Sequence, residues 1–251
     1  MSYFAPNIPI SNHCFFDRHG GTSQGIYDSL NMSIRSQDTP DNVWQNLNIA
    51  MHYYNKDLSN LNILKQGTTN KAIYIASPER YQTFADGAVT DKKGIVLAIR
   101  TADCAPVLFY DKEHQIIGVA HAGWRGALSG ILENTLDIML SLGAKPKTIA
   151  AAIGPCLQKE SFECQKDMYD KFMQTESSYK KFFYPQDKTH WLFDAEKFCC
   201  ERLLKYGLQN ITTSGINTYT DTNYFSYRRN CHQNLIAVPF DYPTHLSTIM
   251  L

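Results

Sequence analysis

The sequence holds no C-x-x-C pair, and its seven cysteines are an odd number. That pattern argues against a disulfide scaffold and fits a reduced, cytoplasmic protein. No apolar run approaches the ~20 residues of a membrane span, so no membrane partner is expected. The opening MSYFAPNIPISNH lacks a basic segment followed by an apolar one, so no secretory signal is expected. Charge of one sign is also missing: 24 Lys+Arg balance 24 Asp+Glu. A general nucleic-acid or anionic-membrane binder is thereby disfavoured, while a local basic pocket stays open. There is no internal repeat, low-complexity tract or Pro/Ser-rich linker, so residues 1–251 read as a single domain.

What is present is a globular composition, with 43% hydrophobic and 19% charged residues. A chain of this length buries roughly 70–75% of its unfolded surface and needs no staples. HCFFD (13–17) reads as a strand leading into a Gly-rich turn. Thr39 and Pro40 suit N-cap and first-turn positions. Val43, Leu47, Ala50, Met51 and Tyr54 follow at helical spacing. AIYIA (72–76) and GIVLAIR (94–100) are strand-like, and the second suits burial on both faces. VLFYD and QIIGVAHA flank a polar turn and read as a hairpin. Leu128, Ile131, Leu132, Thr135 and Met139 then share a helical face, ending near Gly143. TIAAAIG reads as a buried strand, Asp194 as the cap of a helix ending at Gly207, and YFSYRR as lying in or beside a late strand. The irregular alternation predicts an α+β fold with a mixed sheet and packed helices, not a doubly wound one.

The chemistry centres on RTADCAPVLFYDKEHQIIGVAHAGWRG (100–126). Cys104 and His121 each end an apolar run, seventeen residues apart. If those runs are neighbouring strands, a thiol and an imidazole meet at one sheet end. Two buried residues that merely pack would explain the spacing alone. Asp103 beside the cysteine and Arg125 after the histidine are harder to explain by packing, and they point to a site. Cys and His are zinc ligands, and a catalytic zinc wants about three protein ligands. Alternatively, His121 activates Cys104 as a nucleophile. GGTSQG (20–25) is not a P-loop, because no Gly-Lys-Ser/Thr follows. Asn31 suits a base or ribose contact, or a cap. Cys156, in IGPC, reads as a turn or core residue. Arg228 or Arg229 is a candidate anion contact.

HCFFDRHGGTSQGIYDSLNMS, DGAVTDKKGIVLAIRTADCAPVLFYD, GVAHAGWRGALSGIL, AAIGPCLQKESFEC and YFSYRR, in that order, resemble the multicopper polyphenol oxidase or laccase-domain family over about residues 13–230. The resemblance implies one α+β domain of the cytotoxic-necrotizing-factor and laccase-domain type, with mixed sheets sandwiched by helices. It implies a purine nucleoside phosphorylase that cleaves adenosine, inosine or methylthioadenosine with phosphate and also deaminates adenosine. A small-molecule nucleoside partner and a monomer or homodimer are expected. Copper is not expected, since multicopper oxidases use many histidines in His-x-His pairs and this chain has eight His and no such pair.

In the family a zinc sits on two His and one Cys. Cys104 and His121 match two of these positions, and Asp103 suits proton handling. Gln66, Arg125, Arg228 and Asn31 are the expected substrate contacts, with Arg125 or Arg228 clamping phosphate. The third ligand position, in LKQGTTN, falls on Thr68, a poor zinc ligand. Three alternatives stand: weak zinc through Cys104, His121 and water; completion by His13 or His19; or loss of the metal. Loss would leave a Cys–His thiol hydrolase or deamidase, or a catalytically impaired homologue. Asn217-Thr218 replaces a usual Cys-Thr, and NCHQNLIAV replaces a Gly-rich segment.

Overall fold

Every residue of the strands Val96–Thr101 and Ala105–Asp111 is buried, and the layers around them define the architecture. The computed structural model describes residues 2–251. The chain runs through β1 (His13–Phe15), α1 (Pro40–His52), β2 (Leu61–Lys65), β3 (Ala72–Tyr74), β4 (Arg80–Phe84) and β5 (Gly87–Thr90). Next come β6 (Val96–Thr101), β7 (Ala105–Asp111), β8 (Ile116–Ala122), α2 (Trp124–Ser129), α3 (Ile131–Ser141), β9 (Ile149–Ile153) and β10 (Glu163–Gln165). It finishes with α4 (Lys166–Thr175), β11 (Phe183–Pro185), β12 (His190–Phe193), α5 (Ala195–Tyr206), β13 (Asn210–Thr213), α6 (Tyr227–His232) and β14 (His245–Met250).

A five-stranded sheet has the order β1-β14-β6-β2-β4, and a six-stranded sheet the order β13-β9-β7-β8-β5-β3. Both are mixed: β14–β6 and β7–β8 are antiparallel, whereas β2–β6 and β13–β9 are parallel. A small antiparallel sheet, β10-β12-β11, flanks them. Side chains alternate across a strand. Leu97 and Ile99 of β6 therefore meet Leu108, Ile117 and Val119 between the large sheets. Val96 and Ala98 turn the other way, onto Val43, Leu47 and Met51 of α1. Val107 and Phe109 of β7 pack against Leu132 and Leu136 of α3 and Phe198 of α5. Two sheets face each other between outer helices, as the α+β reading expected.

The helix caps follow the expected positions with two differences. Thr39 sits at the N-cap of α1 but its side chain makes no capping bond; Asp38 Oδ1 instead accepts from Thr39 N (2.8 Å). Leu128 and Ile131–Met139 do not share one helix, because Gly130 adopts φ +100° and breaks the segment into α2 and α3. Asp194 caps α5 as expected, accepting from Lys197 N (3.0 Å), with Gly207 at its end.

YFSYRR forms no strand. Tyr227–His232 is the helix α6, begun by Ser226, whose hydroxyl accepts from Arg229 N at 3.1 Å. The aromatic run suggests a strand, but the side-chain cap sets the local structure. No helix among the described residues is long and apolar enough to cross a membrane.

Candidate active site

The β7–β8 hairpin explains why residues seventeen apart meet. Its register pairs Ala105 with Ala122 and Pro106 with His121. Cys104, just before β7, and His121, near the end of β8, therefore share one end of the six-stranded sheet. His121 is buried, while Cys104 is half-buried and free. Both line a cavity of about 220 Å³, together with Gln66, Thr68, Arg100 and Tyr242.

Asp86, just ahead of β5, is fully buried and completes the cluster. Its Oδ1 lies 2.7 Å from His121 Nδ1, and its backbone carbonyl accepts from His121 N at 2.7 Å. The same carboxylate gathers the loop after β2. It accepts from Gly67 N (3.1 Å), Thr68 N (3.0 Å) and Thr69 N (2.7 Å), and from Thr69 Oγ1 (2.7 Å). These bonds hold Thr68 at φ +58°, a conformation unfavourable for a β-branched residue. Burial alone would raise the Asp86 carboxyl; the His121 hydrogen bond and charge, with the Thr69 donors, outweigh it and bring it to about 2. Burial alone would lower His121; the Cys104 charge and the hydrogen bonds to Asp86 and Cys104 outweigh it and bring the imidazole up to about 9. Both shifts favour a protonated His121 beside an ionised Asp86, with the Cys104 charge the largest raising influence on the imidazole.

The glycines of HAGWRG let this cluster close. A Cβ on Gly123 would lie 2.9 Å from Thr68 Cγ2 and 3.2 Å from Cys104 Sγ. A Cβ on Gly126 would lie 2.6 Å from the Thr69 carbonyl oxygen. Helix α2 can thus approach the 66–70 loop only because both positions lack a side chain.

Several expected contacts sit elsewhere. Asp103, at φ +88°, faces away from the cavity toward the C-terminal segment. It accepts from Thr218 Oγ1 (2.7 Å) and Arg228 N (2.7 Å), so it anchors the start of α6 rather than handling protons. The Arg228 guanidinium donates to the Glu163 carbonyl (3.0 Å) and lies outside the cavity lining. Arg229 is tied to the carbonyls of Thr218 and Tyr219 at 2.6 and 3.0 Å. Arg125 is exposed and stacks 4.1 Å over the Trp124 ring, in a separate surface groove. Neither expected phosphate clamp therefore faces the Cys104–His121 pair.

Asn31 is fully buried; its amide donates to Asp38 Oδ2 (2.9 Å) and accepts from Ser33 N (2.9 Å) and Thr244 N (3.1 Å). It braces the loop and does not line the cavity. Gln66 does line it, but its amide brackets the Arg100 backbone, donating to O at 2.7 Å and accepting from N at 2.8 Å. It positions Arg100 instead of offering a free polar group. Cys156 is buried core.

The residues offer a zinc ion two ligands, not three. The Thr68 hydroxyl donates to the Gly67 carbonyl at 2.7 Å. His13 is engaged on both ring nitrogens, by Ala5 N (2.8 Å) and the Pro9 carbonyl (3.0 Å). The His19 ring bonds Asn223 Oδ1 at 2.9 Å. Among the described residues no group of three or more His, Cys, Asp or Glu side chains is arranged to hold a metal. The donor set does not fit the tetrahedral zinc site that the resemblance implies.

Asp86, Arg35, Arg100, Phe240, Tyr242 and Thr244 also belong to the cavity or its support, and no motif in the sequence marks them. Asp86 lay inside DGAVT and Arg100 at the head of RTADC, but their directions depend on tertiary packing. For the loop residues of the C-terminal segment no sequence pattern pointed to the cavity.

The fold is a paired-sheet α+β domain that brings a thiol and an imidazole to a cavity at its strand ends, with a buried carboxylate behind the imidazole. Residues 12–235 match the model of the multi-copper polyphenol oxidoreductase laccase family, and the chain belongs to that family. A protein of Rickettsia prowazekii named purine nucleoside phosphorylase is 32% identical over 233 residues, 90% of each chain. One of Deinococcus radiodurans with the same name is 34% identical over 91% of this chain and 87% of its own. One of Escherichia coli is 32% identical over 86% and 87%, respectively. The crystal structure of a Bacillus licheniformis hypothetical protein, YfiH, superposes with a TM-score of 0.87 at 25% identity, covering 95% of this chain and 92% of that one. A Neisseria meningitidis protein superposes with a TM-score of 0.84 at 26% identity, covering 100% and 98%.

Proposed function

We propose that this chain is a purine nucleoside phosphorylase acting on adenosine, inosine or methylthioadenosine. Relatives of that name across 90% of the chain support the reading. The observation that carries it is the Asp86–His121–Cys104 cluster opening into the cavity. In phosphorolysis a phosphate oxygen forms a bond to C1′ as the C1′–N9 bond breaks. The electron pair leaves on the purine, and the products are the free base and the sugar 1-phosphate: ribose 1-phosphate from adenosine or inosine, 5-methylthioribose 1-phosphate from methylthioadenosine. Positive charge grows on the sugar and negative charge on the base, so the reaction needs a proton donor at the base.

His121 suits that role. Asp86 holds Nδ1, so the proton for the base comes from Nε2, which gives up its contact with Cys104 as the purine leaves, and the raised pKa favours the protonated imidazole. Negative charge on the Cys104 sulfur beside it favours the imidazolium. Phe240, exposed at the cavity mouth, and Tyr242 offer aromatic faces for a purine. Deamination of adenosine would need an activated water, which the two-donor set with Thr68 is poorly built to supply, so phosphorolysis is the favoured activity. The test is product analysis with inosine: hypoxanthine release that depends on phosphate and yields ribose 1-phosphate supports the reading. Release that is independent of phosphate, or none, overturns it.

A second reading has its own observation. A carboxylate 2.7 Å from His121 Nδ1, with a thiol on the imidazole's other side, is also the layout of a thiol hydrolase or deamidase. There Cys104 is the nucleophile, and iodoacetamide should label it faster than the other six cysteines. Labelling of Cys104 no faster than the rest contradicts this reading.

A further inference from the structure

The cavity beside Cys104 and His121 is lined by two guanidinium groups, Arg35 and Arg100, and by no Asp or Glu. Among the described residues neither arginine has a carboxylate within ion-pair distance. Arg100 is only 7% exposed, and its Nε has no hydrogen-bond partner. Its Cζ lies 4.9 Å from the centre of the Tyr81 ring, which offers a π face but no acceptor. Thr244 is equally buried, lines the same cavity, and its hydroxyl is also without a partner. Arg35 at the rim is exposed; it uses one nitrogen on the Gln66 carbonyl (3.2 Å) and lies 6.0 Å from the centre of the Phe240 ring. A buried cation with one orphaned donor, Arg100 Nε, and a buried orphaned hydroxyl, that of Thr244, sit side by side at this cavity and carry a cost that an anion reaching them would remove.

The arrangement is built, not incidental. Gln66 clamps the Arg100 backbone from both sides, and Asn31 accepts from Thr244 N. Two fully buried or nearly buried amides therefore fix the residues that carry the orphaned groups.

We propose that Arg100, Arg35 and Thr244 form a subsite for a phosphoryl group. The guanidinium fork matches two oxygens of a tetrahedral oxyanion, the hydroxyl a third, and the second cation suits a dianion. The phosphoryl group is either free phosphate or a phosphate carried by the substrate. Its catalytic meaning rests on the phosphorylase reading, because the subsite opens into the same cavity as His121. The binding itself does not rest on it.

The experiment is equilibrium binding of inorganic phosphate, adenosine and adenosine 5′-monophosphate to the full chain, by calorimetry. It compares wild type with Arg100→Met and Arg35→Met, each checked for folding by its melting transition. Phosphate binding weakened about tenfold or more in Arg100→Met, and less in the rim variant, is the expected result. If adenosine and phosphate bind together, the subsite serves free phosphate. If phosphate competes with the monophosphate, which binds more tightly than adenosine, it serves a substrate-borne group. If Arg100→Met does not fold, Arg35→Met carries the test with a weakening of about threefold or more.

Wild type binding neither phosphate nor monophosphate, or folded variants binding them as wild type does, overturns the proposal. Phosphate binding without nucleoside cleavage overturns the phosphorylase reading alone. Phosphorolysis with an unchanged phosphate KM in Arg100→Met overturns the subsite alone.

Discussion

Asp86 Oδ1 and His121 Nδ1 lie 2.7 Å apart, and the same carboxylate takes three successive amides of the 67–69 loop. One buried side chain thus sets the imidazole's orientation and charge and also fixes the loop that faces it. The cluster is coupled through Asp86, not through Asp103, the acid that adjoins Cys104 in sequence.

Asp86→Asn is therefore expected to damage both stability and activity. An amide keeps one acceptor but loses the charge that His121 and the loop amides share. Breaking a buried pair from one side costs about 3–5 kcal/mol, readable from urea unfolding. Nucleoside cleavage should fall at least about tenfold. A variant as stable and active as wild type would remove Asp86 from this role.

Thr68→His supplies a third ligand, the second nitrogen, beside Cys104 and His121. The Thr68 and Cys104 side chains both reach within 3.2 Å of the point a Gly123 Cβ would occupy, so a histidine there adjoins the thiol. Competition with a chromophoric chelator should give zinc affinity at least about tenfold tighter in the variant than in wild type. Wild type retaining one zinc per chain through chelator dialysis would contradict the two-ligand account.

His245 gives the chain an acid-sensitive point. It is fully buried; burial lowers its pKa from 6.5 to about 3, with Asp17 raising it and Arg229 lowering it to smaller extents. Below pH 6.5 the unfolded chain takes up a proton that folded His245 refuses. Its contribution to stability is therefore complete above pH 6.5 and declines as pH falls toward 3. The slope is about 1.4 kcal/mol per pH unit for one proton. Urea midpoints between pH 6.5 and 5 should fall more steeply in wild type than in His245→Phe. Equal slopes would contradict the assignment.

Cys104, His121, the β7–β8 hairpin and the doubly buried β6 were legible because they depend on local periodicity and on adjacency along the chain. Asp86 was not, because its role depends on β5 pairing with β8. Nor could sequence tell that Asp103 turns away, since one left-handed residue reverses its direction. Arg125 and Arg228 read as anion contacts from charge and position, yet Trp124 and the Glu163 carbonyl hold them elsewhere. The aromatic YFSYRR concealed a helix whose caps, Ser226 and Asp103, include one from a distant loop.

Nucleoside cleavage is assigned to the cavity that holds Cys104 and His121. The most direct measurement is the phosphate-dependent rate of hypoxanthine release from inosine by wild type and by Cys104→Ala, with matched melting transitions. Measurable release in wild type and a loss of at least about a hundredfold in the variant are expected. A folded Cys104→Ala protein that cleaves inosine at the wild-type rate would contradict it.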